Sequence, residues 1–288
     1  MKECFYAFYV NLASLPLSVF LLLFRWKRKT IALNAKICGF SPSFSFFFRL
    51  YFNISRDFVR FLHGKHHRLI FLARKDRNTL ERLKTNGSIL VAAHFHNWEM
   101  MGGWLVESNV NLLTSERPFK SRWAEAILKR LRKSHGISTV SEHIPRSALK
   151  HIRSGSCFAV IWDQYSPHAK ERVSLFGVPA AMDPLPAFLA QHCQAPVFMA
   201  VLLPSGRLRL FQLQAALSGP VDGARLARKY HRVLEGLIRR YPSYWYGFTH
   251  GRFKETFSYV NTRRSSTQSN MNSKKAFDFA PANSGVDY

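Results

Sequence analysis

SILVAAHFHNWE, residues 88–99, decides how this chain folds. Ser88 to Ala93 is an apolar run short enough for one strand buried in the middle of a sheet. Asn97 to Glu107 reads as a helix. The two polar, titratable positions His94 and His96 fall in the bend between strand and helix. In open α/β sheets, sites lie at the carboxyl ends of strands, so His94 stands where such a site is built.

Outward from this junction, short apolar runs alternate with amphipathic stretches. Leu69 to Arg74 reads as a strand. Asp76 to Lys84 reads as a helix, with Asp76 as its cap. Beyond Glu107, strands are expected at 110–114, 137–141 and 157–162, and helices at 121–135 and 145–153, the last with proline in its first turn. A helix at 184–192 precedes a hairpin, 196–203 and 208–214, that turns at Ser205-Gly206. A long helix at 222–240 follows. This alternation predicts an α/β layer fold with a mostly parallel central sheet flanked by helices.

Three segments organise the chain: an anchor over 1–30, a core domain over 31–261 and a tail over 262–288. Phe5 to Phe24 carries no charge and is about as long as a bilayer core of roughly 30 Å requires. Arg25, Lys27, Arg28 and Lys29 follow it, which predicts a cytoplasmic flank and a cytoplasmic catalytic mass. A cleaved signal peptide, a buried core helix and an interfacial helix are the competing readings of this span. Phe44 to Leu62, rich in Phe with interspersed Arg, suits both a lipid interface and a core-facing amphipathic helix. Thr262 to Tyr288 is rich in Ser, Asn, Thr and Lys, and is expected to be disordered.

The 288 residues carry 42 Lys and Arg against 17 Asp and Glu, a formal net charge of +25. Such an excess attracts polyanions: nucleic acid, anionic membrane, phosphorylated substrate or an acidic carrier protein. The basic residues are spread through the chain, and no helix-turn-helix, zinc or RNA-recognition signature accompanies them, so no nucleic-acid partner is expected. Cys4, Cys38, Cys157 and Cys193 include no C-x-x-C spacing, which points away from a zinc site or a redox pair.

The chemistry concentrates at His94 and Glu99. On one continuous helix, five residues turn the chain through roughly 500°, and the two side chains would not share a face. The strand-to-helix bend lets them meet. Glu99 could then accept from His94 Nδ1–H and leave Nε2 as a base. Such a dyad suits attack of a hydroxyl on a thioester, with His94 taking the alcohol proton and returning it to the leaving thiolate. A metal cluster of His94, His96 and Glu99 lacks a further strong ligand, so no metal is expected.

HFHNWE at 94–99 resembles the HFGNWE segment of the bacterial lipid A late acyltransferases, the lauroyl and myristoyl type, within the lysophospholipid and glycerol-phosphate acyltransferase superfamily. Further blocks match in order. Glu116-Arg117-Pro118 resembles the family's Tyr-Arg-Pro, and Trp162-Asp163-Gln164 resembles its aspartate block. LFGVPA at 175–180 resembles Phe-Phe-Gly-x-Pro-Ala, and HGRFK at 250–254 resembles His-Arg-Arg-Phe-Lys. The likeness covers roughly residues 5 to 256.

The resemblance implies a glycerol-phosphate-acyltransferase-like fold and roles residue by residue. His94 and Glu99 would be the catalytic dyad. Arg117 would bind an acidic group of donor or acceptor, and Asp163 would sit near the dyad to position structure or substrate. Gly177 and Pro179 would shape the loop behind the site, and Arg252 would meet phosphate or solvent. The donor would be an acyl carrier protein or acyl-CoA thioester. The acceptor would be a lipid A precursor at the anionic cytoplasmic face of the inner membrane, with no cofactor.

Acylation of a lysophospholipid or a phosphoinositide mannoside is the alternative within enzymes. A basic, membrane-associated nucleic-acid binder is the alternative outside them. Four positions depart from the family pattern. His96 replaces a glycine, Glu116 an aromatic residue, Gly251 an arginine and Phe248 a tryptophan, and these bear on acceptor identity more than on reaction type.

Overall fold

The computed structural model describes residues 2–64, 69–116, 121–166, 169, 171–216 and 219–253. Arg117, Lys254 and the tail at 262–288 fall outside the described residues.

Nine strands are formed among the described residues: β1 (Phe71–Leu72), β2 (Ser88–Ala92), β3 (Leu112–Ser115), β4 (Ser138–Val140), β5 (Cys157–Ile161), β6 (Arg172–Leu175), β7 (Val178–Ala181), β8 (Val197–Leu202) and β9 (Arg207–Gln214). The helices are α1 (Lys2–Leu23), α2 (Arg28–Ile37), α3 (Phe44–His63), α4 (Arg77–Thr85), α5 (Trp98–Glu107), α6 (Arg122–Ser134), α7 (Ile144–Arg153), α8 (Leu185–Cys193) and α9 (Gly223–Arg240).

Seven strands make the main sheet in the order β1-β9-β8-β2-β5-β3-β4. Strands β2, β3, β4, β5 and β8 run parallel, and β9 pairs antiparallel with β8 and parallel with β1. All five residues of β2 are buried, as an interior strand with helices on both faces requires.

Alternate residues of each strand feed opposite layers. Ile89, Val91, Phe158, Val160, Val197 and Met199 face α7, α8 and α9 in one core; Leu90, Ala92, Cys157, Phe198 and Ala200 face α4 and α5 in the other. Local caps fix where helices start. Asn97 Oδ1 accepts from Met100 N at 3.2 Å to begin α5, and Asp222 Oδ1 accepts from Arg225 N at 2.8 Å to begin α9.

Three features differ from the sequence-based expectation. The run from Leu69 to Arg74 forms only the two-residue β1 before a 3-10 turn over Arg74–Asp76. Asp76 is committed to Arg209 instead of capping α4: its Oδ2 lies 2.7 Å from Arg209 Nε, and it makes no side-chain cap. The LFGVPA block is a hairpin, β6–β7, because Phe176 and Gly177 both take positive φ, 54° and 76°, as a tight two-residue turn needs.

Helix α1 lies antiparallel along α3. Tyr6 and Tyr9 stack edge-on against His63 at 6.5 and 5.4 Å, while Tyr51 donates to Trp26 O at 2.6 Å at the other end. Its small residues Ser14 and Ser18 face inward, and Phe5, Phe8, Leu12, Phe20 and Leu23 face outward. Among the described residues nothing encloses this side of the helix, and only 17% of its most apolar window is buried.

Candidate active site

Strands β2 and β5 pair in register, Ala92 opposite Ile161. Two residues past that pair, His94 and Asp163 therefore stand side by side at the carboxyl edge of the sheet. Asp163 is fully buried. Its Oδ1 lies 2.7 Å from His94 Nδ1, and its Oδ2 accepts from His94 N at 2.9 Å and from Trp245 Nε1 at 2.8 Å.

A carboxylate can only accept, so Nδ1 carries the proton and Nε2 presents its lone pair. That lone pair meets the Gln164 amide nitrogen at 3.0 Å. The imidazole is also flanked by Trp98, edge-on at 4.9 Å between ring centroids, and by His250 at 4.4 Å.

Burial by itself raises the Asp163 carboxyl. The charge and hydrogen bond of His94, the Trp245 N–H and the nearby His250 outweigh it and hold the group below the usual carboxylate range. Asp163 is thus an anion fixed against one imidazole nitrogen, which sets the tautomer and stabilises the ring when it becomes charged.

The chain straps this bend on its other side. Tyr246 N donates to His94 O at 2.7 Å, His96 N donates to Tyr244 O at 2.8 Å, and Phe95 bridges Trp245. His96 takes φ 49°, the left-handed conformation in which a glycine carries no strain. Its ring is buried and its Nδ1 lies 2.8 Å from Asp57 Oδ2 on α3; Tyr246 OH donates to the same oxygen. The bulky residue at the turn is therefore anchored and does not face water.

Glu99 is placed differently from the expectation. It sits in the first turn of α5, but its carboxylate is gripped by Arg132 of α6, with Oε1 2.5 Å from Nη2 and Oε2 3.1 Å from Nε. Arg132 also reaches Glu116 Oε2 at 3.1 Å. The carboxylate hydrogen-bonded to His94 Nδ1 is that of Asp163, not that of Glu99. The physical reason is register: two neighbouring strand ends bring Asp163 to the ring, while the start of α5 turns Glu99 toward a fixed guanidinium fork.

Arg252 does not face solvent. Its side chain is 1% exposed. It donates to Ala181 O and, at 3.2 Å, to Gln164 O, and its Nη2 lies 2.9 Å from His231 Nε2. His231 Nδ1 lies 2.8 Å from Ser174 O and donates to it, so Nε2 accepts from Arg252. Burial, and then the Arg252 charge, push His231 down to about 3, which keeps it neutral. Arg252 thus ties the Gln164 backbone to the β6–β7 hairpin and to α9. Sequence alone does not single out Gln164, Trp245 or His250 as site residues. The only signal for Gln164 and His250 was that each lies inside a matched block.

A search among curated proteins finds no match. A family model described as bacterial lipid A biosynthesis acyltransferase matches residues 70–255, more than half of the chain. That span runs from the first strand of the sheet through His94, Asp163, Gln164 and Arg252, and the chain belongs to the bacterial lipid A biosynthesis acyltransferase family.

Proposed function

We propose that this protein transfers a fatty acyl group from an acyl carrier protein or acyl-CoA thioester to a hydroxyl of a lipid A precursor, with His94 as the base. The observation that carries this reading is the polarised chain Asp163–His94–Gln164. It leaves one basic nitrogen aimed at a group that a hydroxyl can replace.

The acceptor O–H takes the place of the Gln164 amide at Nε2. As its oxygen attacks the thioester carbonyl carbon, its proton passes to Nε2, and Asp163 stabilises the imidazolium. The displaced Gln164 amide is then available as a donor to the oxyanion. Collapse breaks the C–S bond, forms the ester and returns the Nε2 proton to the thiolate. The acceptor is itself the nucleophile, so no acyl-enzyme is needed.

Glu99 serves the site through Arg132, holding α5 against α6 beside the segment that enters Arg117. Arg117 is assigned to an acidic group of donor or acceptor, on the strength of the Glu116-Arg117-Pro118 block. The apolar outer face of α1 and the exposed Phe44, Phe58 and Leu62 of α3 suit the inner membrane. Arg25 and Lys27 to Lys29 follow α1, which favours the cytoplasmic side for the catalytic mass.

Mass spectrometry of lipid A from cells carrying the wild-type chain or His94→Ala tests the reading. The variant is expected to lose the mass of one acyl chain from the glycolipid. An unchanged lipid A profile would overturn it.

A further inference from the structure

Arg56 and Arg60 stand one turn apart on α3 and so share a face. Arg56 Nη2 reaches Tyr244 OH at 3.3 Å, and the guanidinium lies over the Tyr244 ring at 5.5 Å. Its Nε is 3.9 Å from Asp57 Oδ1, too far for a hydrogen bond. The Nε of Arg56 and the Nε of Arg60 are both buried without a hydrogen-bond partner, and Arg60 forms no ion pair among the described residues.

Asp57 is the nearby anion, and it is already engaged by His96 Nδ1 and Tyr246 OH on one oxygen. Two guanidinium charges thus face one shared carboxylate. Burial, and then the Arg56 charge, pull Arg60 below its ordinary value, while Asp57 opposes the shift. Burial disfavours the Arg56 charge too, but Asp57 and Tyr244 outweigh it, so the poorly compensated charge is that of Arg60, which is costly to bury beside Arg56 unless an anion completes it. A phosphate monoester carries about −1.5 to −2 charges and several acceptor oxygens, which suits two guanidinium forks.

The position narrows the source of the phosphate. One turn beyond Arg60, His63 packs against Tyr6 and Tyr9 of α1, the helix with the apolar outer face. On the other side, Asp57 and His96 connect this face to the bend that carries His94. The arginines therefore lie between the apolar surface and the catalytic bend, where a lipid embedded along α1 would place its polar head.

We propose that Arg56 and Arg60 form a phosphate subsite that holds a phosphate monoester of the lipid acceptor while its hydroxyl reaches His94. The acceptor assignment rests on the acyl-transfer reading; the phosphate site itself does not.

The test uses the full chain in detergent micelles, with a phosphorylated glucosamine-disaccharide lipid and the same lipid after phosphatase treatment. Wild type is expected to prefer the phosphorylated acceptor in kcat/KM by about tenfold or more. In Arg60→Gln that preference collapses toward one, with the change in the acceptor KM and not in the donor KM. Arg56→Gln should act in the same direction. Arg60→Lys, which keeps charge but loses the fork, should fall between, and it replaces the glutamine variant if that chain does not fold.

Direct binding of the two lipids to His94→Ala protein provides an arm independent of turnover. Selective binding there supports the subsite even if acyl transfer fails. Three outcomes overturn the proposal: equal loss on both lipids, an effect confined to the donor KM, or Arg60-dependent adsorption to phosphatidylglycerol vesicles with acceptor selectivity unchanged. The second assigns the pair to the donor's phosphate and the third to membrane headgroups.

Discussion

His94 Nδ1 and Asp163 Oδ1 lie 2.7 Å apart although 69 positions separate them in the chain. Both side chains issue from the same edge of two parallel neighbours, and a second bond, from His94 N to Asp163 Oδ2, locks their relative orientation. The catalytic reading depends more on this pair than on the His-x4-Glu spacing.

Substitution separates the two carboxylates. Asp163→Asn cannot hold the proper tautomer as an anion, and kcat should fall roughly 10³-fold or more. Glu99→Gln leaves Asp163 in place and loosens the Arg132 grip, so the fall in kcat should be about tenfold or less, with a lower Tm. Steady-state kinetics of the two purified variants decide it. If Glu99→Gln is the more damaging to kcat, the base is supported by Glu99 after all.

Acid sensitivity follows from the same carboxyl. Asp163 has a folded value below its unfolded one, near 3.9. A depressed group adds stability that is fully present above the unfolded value and is lost as pH falls through the folded one. The wild-type Tm should therefore drop below about pH 4. Asp163→Asn should show a smaller drop over that interval, by calorimetry at matched ionic strength. Parallel pH curves for the two proteins would contradict the assignment.

Gln164 should matter to rate and to pH profile separately. Gln164→Ala removes a donor from the space beside Nε2, and kcat should fall about 10²-fold with the donor KM little changed. Gln164→Glu places a carboxylate where the imidazolium N–H forms. The acidic limb of the kcat/KM profile should then move to higher pH. A packing role alone would leave that limb where it was.

His96→Gly sets two effects against each other. Glycine relieves the positive φ, worth about 1–2 kcal/mol. It also strips Asp57, a buried carboxylate, of its histidine partner, and breaking a buried pair costs about 3–5 kcal/mol. The second effect is larger, so the variant should be less stable than wild type by roughly 1–4 kcal/mol. Urea unfolding measures this, and a more stable variant would show that the Asp57 link is weak.

The junction at 88–99, the strand and helix alternation and the mostly parallel sheet were legible in the chain itself. A buried strand and a capped helix are local facts, set by a few adjacent residues. The ordered blocks likewise pointed to the family. Sequence distance, however, says nothing about register. That Asp163 and not Glu99 meets the imidazole depends on how β2 aligns with β5. The burial of Arg252 depends on how its own segment packs against the β6–β7 hairpin and α9. The anchoring of His96 by Asp57, and the laying of α1 along α3, depend on helix packing. Each of these joins groups far apart in the chain, and only the closed three-dimensional structure brings them within hydrogen-bonding reach.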